Sequence, residues 1–390
     1  MLSRLILLVP TLVSAAALMP RSDHRAAYFL DNNPAGASIV SLKIDINDGK
    51  LSEPVRTSTE GVGLYGLTAV NTPGVADTLF TQDAVVVSED YLFTVNPGSN
   101  TISMFFINKN DPYHPTLVGK PVSSGGEFPS SVAYSSRLKT VCVINGGAVA
   151  GVACFHADHA KGLTALGGLR EIPLNQTTPP IGPPGTASDI VFNPSQTAVF
   201  VSIKGNGVDP GFFYVYPVFF NGQISTKPVI SQPSELALDF SLNFLGDDSK
   251  AVVSDPSFGV SLLHISFDFK VSVADRVTIA GQSAVCWTVY APRFDSIYAI
   301  DAGNPVITII DPWTGTIKDT VHTDAADMGS FDSKADRTWL YSLRSSPAVS
   351  VTSLAGSNSG KTPSVVQNLN LTSLGSRQGW QGMAIYPNSV

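Results

Sequence analysis

Leu92-Phe93-Thr94-Val95-Asn96, then Pro97-Gly98-Ser99-Asn100, then Thr101-Ile102-Ser103-Met104-Phe105, is the stretch that decides the fold. Two short β-branched and aromatic runs flank a cluster of turn formers, the signature of a β-hairpin, and the apolar positions lack the three-to-four spacing of an amphipathic helix. The pattern returns along the chain at intervals of about 40–50 residues, the range in which repeat architectures are found. Upstream it is Tyr28-Phe29-Leu30-Asp31 with Ser38-Ile39-Val40-Ser41-Leu42. Downstream it is Val141-Cys142-Val143-Ile144-Asn145 with Gly151-Val152-Ala153-Cys154-Phe155, and then Phe200-Val201-Ser202-Ile203-Lys204 with Phe213-Tyr214-Val215-Tyr216. Three more follow, with first strands Ala251-Val252-Val253-Ser254-Asp255, Ile297-Tyr298-Ala299-Ile300-Asp301 and Leu340-Tyr341-Ser342-Leu343-Arg344.

Each hairpin supplies the second and third strands of a four-stranded unit. Innermost strands are expected at 84–87, 131–134, 189–192, 237–240, 284–288 and 328–331, and the first unit lacks one. The C-terminal run Gln381-Gly382-Met383-Ala384-Ile385-Tyr386 fills that place. The expectation is an all-β, seven-bladed β-propeller whose first blade is closed by the C-terminal strand, because such closure leaves no edge unpaired. Six blades is the alternative if one unit is distorted. Two insertions break the period, 62–81 and the Pro-rich 175–186, and long loops of this kind more often carry function than structure.

The N-terminus reads as a cleavable signal peptide over 1–18, with Arg4, an apolar run from Leu5 and the small residues Ser14 to Ala17; one propeller domain then covers 19–390. A signal anchor would need a longer apolar run than Pro10, Pro20 and Arg21 allow. No later segment is apolar enough to span a bilayer, so a secreted or secretory-pathway chain free of the membrane after cleavage is expected. Sequons at Asn175 (Asn-Gln-Thr) and Asn370 (Asn-Leu-Thr) fit export as glycosylation sites. Cys142 and Cys154 stand opposite each other across their hairpin, a candidate disulfide in an oxidising compartment; two buried thiols is the other reading. Charged residues are 14% of the chain, the net charge is −7, and no Lys/Arg cluster exists, which argues against a nucleic-acid partner. The oligomeric state is left open.

In a propeller the second strands end on the face where the first strands begin. That places a ring of Asp31 or Asn32, Asn96, Asn145, Lys204, Asp255, Asp301 and Arg344 around one mouth of the channel. Asn and Asp also favour the starts of turns for local reasons, whereas Lys204 and Arg344 do not, which singles out these two cations as catalytic candidates. Gln82, Glu127, Phe128, Asp189, Gln282, Asp327, Trp380 and Gln381 begin the first strands on the same face. Together they describe a small-molecule pocket with Asn32, Asn96, Asn145, Asp255, Asp301, Phe128, Trp380 and Gln381 as substrate-binding candidates; Phe128 and Trp380 could equally be core. His156, Asp158 and His159 fall past a third strand, so no metal is assigned, although a calcium held by Asn and Asp oxygens stays open. No nucleophile elbow, phosphate loop or dinucleotide fingerprint occurs in a suitable context, and no cofactor is expected.

Several stretches resemble secreted fungal proteins of the 3-carboxymuconate-cyclase-like, lactonase-type propeller family. They are Ala27-Tyr28-Phe29-Leu30-Asp31-Asn32, Asn145-Gly146-Gly147-Ala148 with Gly151-Val152-Ala153-Cys154-Phe155, Ile172-Pro173-Leu174-Asn175-Gln176-Thr177-Thr178-Pro179-Pro180 and Ala187-Ser188-Asp189-Ile190-Val191-Phe192-Asn193-Pro194. The resemblance implies a cofactor-independent cyclase of secondary metabolism. One group of such proteins performs intermolecular hetero-Diels–Alder coupling of a tropolone quinone methide with a humulene-type sesquiterpene. On that reading Lys204 or Arg344 would bind the tropolone oxygens, and Trp380 and Phe128 would flank the terpene. A carboxymuconate-type lactonising cyclase or lactonase is the alternative, although the His, Glu and Arg set of those enzymes has no residue-by-residue match here. A non-catalytic secreted binder or cell-wall glycoprotein is a third reading.

Overall fold

The computed structural model describes residues 24–388 apart from 75 and 357–361. The expected signal peptide over 1–18 lies outside the described residues. Seven antiparallel sheets are arranged as a β-propeller. Blade 1 runs, from the channel outward, Trp380–Tyr386, Arg25–Asp31, Ser38–Ile44 and Leu51–Ser58. Blades 2 to 7 begin on the innermost strands Val85–Ser88, Pro129–Ser135, Ala187–Phe192, Leu242–Phe244, Val285–Ala291 and Ser330–Asp336. Their second strands are Tyr91–Asn96, Thr140–Asn145, Ala198–Ile203, Lys250–Asp255, Ser296–Asp301 and Trp339–Arg344.

The second strands are the strongest sequence signals because they are covered on both faces by neighbouring blades. Ala198–Ile203 is buried at every position, so its run is apolar almost throughout. Outer strands such as Ser364–Asn370 alternate between half-buried and exposed and are correspondingly polar.

Two innermost strands lie later than the sequence suggests. In blade 5 the strand is Leu242–Phe244 rather than 237–240, because the amides of Ala237 and Leu238 donate to Asp255 at 2.8 and 3.0 Å and so form the loop above the sheet. In blade 7 it is Ser330–Asp336 rather than 328–331, and Met328 is exposed.

The ring is closed by the C-terminal strand, with Ala26 opposite Tyr386 and Leu30 opposite Gln381. Trp380 is fully buried against Phe29, ring centres 5.0 Å apart. Gly382 adopts a φ of +72°, and a Cβ there would meet the Val85 backbone nitrogen at 2.8 Å, so the position requires glycine. The seam between blades 7 and 1 is held by the buried Arg25–Asp336 pair. It is held further by Tyr341 donating to Gly49 O at 3.0 Å and by Gln367 bonding both backbone groups of Leu51, at 2.7 and 2.9 Å. In blade 3, Cys142 and Cys154 face each other in register and are joined, with sulfurs 2.04 Å apart. Cys286 is free.

Trp380→Ala is expected to lower unfolding free energy by about 3–5 kcal/mol in denaturant titration, since it empties a filled site in the closing strand. The Cys142→Ser, Cys154→Ser pair should cost about 3 kcal/mol under oxidising conditions from loop-closure entropy, and nothing when the parent is first reduced.

Candidate functional site

The ring of second-strand ends forms as the repeat implies, but its side chains are turned onto their own blades. Asp301 accepts from the amides of Ser283, Ala284, Gly303 and Asn304 at 2.8–3.1 Å. Asp255 does the same for Ala237 and Leu238. Asn145 donates to Ser124 O and Gly151 O, Asn96 to Thr101 and Ser103, and Asn32 to Leu64 O. Asp301, Asp255, Asn145 and Asn32 hold loops that precede innermost strands, and Asn96 holds the third strand of its own blade. Arg344 is likewise occupied, by Asp327, Thr323 and Ser330 at 2.7–3.1 Å. Phe128 and Trp380 are both fully buried in core clusters, which corrects their assignment as pocket walls. Asn175 and Asn370 are exposed.

The expected opening on this face is closed by the two insertions. Leu67 bridges to Ile181, its amide donates to Pro180 O, and Gly182 N donates back to Leu67 O, each at 2.8 Å, so the insertions hold each other. The first is then fastened across the channel. Lys204 of blade 4 donates to Phe80 O at 2.5 Å, Ala187 O at 3.0 Å and Thr186 at 3.3 Å, which uses all three ammonium protons. Arg377, just before the closing strand, and Gln381, within it, donate to Ala76 O at 3.1 and 3.3 Å. Lys204 is therefore a buried clamp, lying 4.1 Å from the Phe240 ring centre.

Beneath this plug the channel holds ionisable groups in a poorly solvated space. Asp83, Asp189, Asp239 and Asp332 stand on the innermost strands or just before them, and Asp77 descends from the plug. Burial raises Asp77 to about 7 against the opposing pull of Lys204 and Arg377. Burial raises Asp83, and it raises Asp189 well above the usual carboxylate range with help from the Asp83 charge. Asp239 and Asp332 are also pushed well up, by burial first and then by Asp255 and Asp77 respectively. Burial lowers Lys204 to about 8 and Arg377 to about 10. Asp77 and Cys286 are half-buried, and burial pushes the Cys286 thiol far up, away from a nucleophilic thiolate. Phe240, Trp287 and Phe331 form an aromatic row at the inner ends of blades 5 to 7, with centres 5.0 and 5.1 Å apart. Among the described residues no three His, Cys, Asp or Glu side chains converge as a metal site.

The channel stays open from the opposite face. A cavity of about 710 Å³ there is lined by Arg25, Arg293, Lys334 and Arg337 at its mouth and reaches Asn243, Ser333 and Gln82 inside. Its size falls within the range of small-molecule sites. A second cavity of about 430 Å³ lies on the plugged face between the Pro-rich insertion and blade 4, beside Asn175 and Asp209.

The polar ring read from the repeat lies at the plugged end of the blades, and a second set of ionisable side chains lies beneath it in the channel. Of the channel groups, sequence reading named Gln82, Asp189, Lys204 and Gln381; it missed Asp77, Asp83, Asp239, Asp332 and Arg377. The available signal was an aspartate recurring at the start of four innermost strands, where core sequence would otherwise supply apolar residues or serine.

Neither a protein-family model nor a curated protein matches the sequence. Among solved structures, the periplasmic gluconolactonase of Pseudomonas aeruginosa superposes with a TM-score of 0.65 at 13% identity, over 93% of this chain and 99% of that one. A provisionally assigned 6-phosphogluconolactonase of Bacteroides fragilis gives 0.64 at 12% identity, over 94% and 99%. A second such protein, from Bacteroides uniformis, gives 0.55 at 15% identity, over 85% and 92%. The chain shares the architecture of these lactonase-type propellers.

The buried carboxylates set a pH dependence of stability. Because their native pKa values are raised, the folded state keeps protons that the unfolded state has released, so stability falls as pH rises from about 4 through 7. Lys204 acts in the opposite sense higher up: its native pKa is lowered, so stability recovers between about 8 and its unfolded value of 10.5. The melting temperature is expected to be several degrees higher at pH 5 than at pH 7.5, and Asp77→Asn should flatten that slope. A profile unaltered by the substitution would remove Asp77 from this account.

Proposed function

We propose that this chain is a secreted, cofactor-independent enzyme that acts on a small molecule in the central channel, and that its chemistry is acid–base opening or closure of a lactone ring. The observation that carries the reading is Asp77, half-buried beneath the plug and held near 7 by its burial. A carboxyl group near neutral pKa can take and return a proton at working pH. In the hydrolytic direction Asp77 removes a proton from water as its oxygen bonds to the lactone carbonyl carbon. The ring C–O bond then breaks and the leaving alkoxide takes the proton back, giving the hydroxy acid. Lys204 and Arg377 stabilise the ionised Asp77 and fix the plug that carries it. The architecture shared with gluconolactonase-type propellers supports the substrate class. The Cys142–Cys154 bond and the exposed Asn175 and Asn370 sequons support export.

Intermolecular hetero-Diels–Alder coupling is the second reading. The Phe240, Trp287 and Phe331 row favours it, since a pericyclic reaction needs only partners held in contact and a polarising donor. Purified protein should accelerate hydrolysis of one or more of glucono-1,5-lactone, its 6-phosphate and a carboxymuconolactone, and Asp77→Asn should reduce kcat by about 10²–10⁴-fold. No gain over buffer on any of them, with rate or stereochemical gain on a quinone methide and a humulene-type alkene, would transfer the assignment to the cyclase. No gain in either assay favours the non-catalytic binder.

A further inference from the structure

The plugged face was the expected working face, yet the cavity of about 710 Å³ opens on the other one, and its polarity runs against the molecule. The chain carries a net charge of −7, but the cavity lining contains four cations, Arg25, Arg293, Lys334 and Arg337, and no carboxylate. Arg25 is paired with Asp336, and the Lys334 charge acts on the Asp83 carboxyl. Arg293 and Arg337 sit in the turns between the first and second strands of blades 6 and 7, and Lys334 rises from the innermost strand of blade 7, so the cations come from separate elements that converge on the mouth. Concentrating positive charge at a low-dielectric mouth raises the local concentration of anions.

Two buried atoms in the same lining lack partners of opposite kinds. Arg25 is 1% exposed and its Nη1 donor is unmatched, although Nη2 bonds Asp336; Gln82 is 6% exposed and its Oε1 acceptor is unmatched. Orphaned buried polar atoms are rare in folded proteins and call for an absent partner. A single ligand with an anionic end and a hydroxyl donor would satisfy both, with the anion toward Arg25 and Lys334 and the hydroxyl reaching Gln82.

We propose that the lower channel is an anion-binding substrate site, entered from the face opposite the insertions, for a polyhydroxylated small molecule bearing a carboxylate or phosphate. The site deepens the lactone reading and rests on it for turnover, while binding stands without it. Lys334 selects the charge and Gln82 the hydroxyl end.

Calorimetric binding to the full mature chain distinguishes the anions: gluconate presents carboxylate alone, 6-phosphogluconate both groups, and inorganic phosphate the phosphate alone, with glucose as the neutral control. At least one anion is expected to bind ten-fold or more tightly than glucose and to weaken as salt rises. Lys334→Gln and Arg293→Gln should each weaken it about ten-fold at unchanged melting temperature, whereas Asp209→Asn, in the smaller cavity on the plugged face, should leave it unaltered. Glucose binding as tightly as the anions, or full affinity in both charge variants, overturns the site. Lactone turnover whose KM is untouched by Lys334→Gln would discard this site and keep the reaction. Anion binding lost in Lys334→Gln, with no lactone turned over by the parent, would keep the site and discard the reaction.

Discussion

Ring closure is the constraint from which the rest of the molecule follows. Each blade buries its faces against two neighbours, so a missing contact would leave two apolar sheet faces in water. The closing contact is the antiparallel pairing of Trp380–Tyr386 with Arg25–Asp31, which brings the two ends of the chain into one blade. Strand pairing alone does not lock blade 7 to blade 1. That task falls to the Arg25–Asp336 pair, the Tyr341 hydroxyl and the Gln367 amide, each linking residues about three hundred positions apart. Arg25 then serves twice, as a seam residue through Nη2 and as a wall of the lower cavity through Nη1.

The same constraint explains why the channel is chemically active space. Seven innermost strands surround an axis that their side chains do not fill, and the first insertion covers one end. Covering it removes water from the aspartates below, and desolvation is the leading cause of every raised carboxylate there. The plug is held by cations reaching up from the rim, Lys204 and Arg377, and these cations also moderate Asp77. The structural fastening and the electrostatic tuning are one set of contacts.

How much was legible follows from which forces act locally. Hairpins such as Leu92–Asn96 with Thr101–Phe105 announce themselves, because strands covered on both faces must be apolar along their whole length. The terminal strand was legible as the missing member of an otherwise regular series. The blade 5 innermost strand was misplaced, since a three-residue strand, Leu242–Phe244, carries too little periodicity to outweigh the apolar loop before it. Lys204 was singled out as a residue no turn requires, but its partners, Phe80 O and Ala187 O, belong to segments whose proximity depends on the folded ring.

The sequence by itself determined the repeating hairpins, the all-β class, the seven blades and the closure by the C-terminal strand, because these rest on hydrophobic periodicity and turn chemistry between near neighbours. Only the tertiary structure decided that the insertions seal one mouth, that the polar ring clasps backbone, and that acids gather beneath the plug while cations gather at the far opening. Those features depend on burial and on Coulomb interactions between residues from different blades, and neither is encoded in any one stretch of the chain.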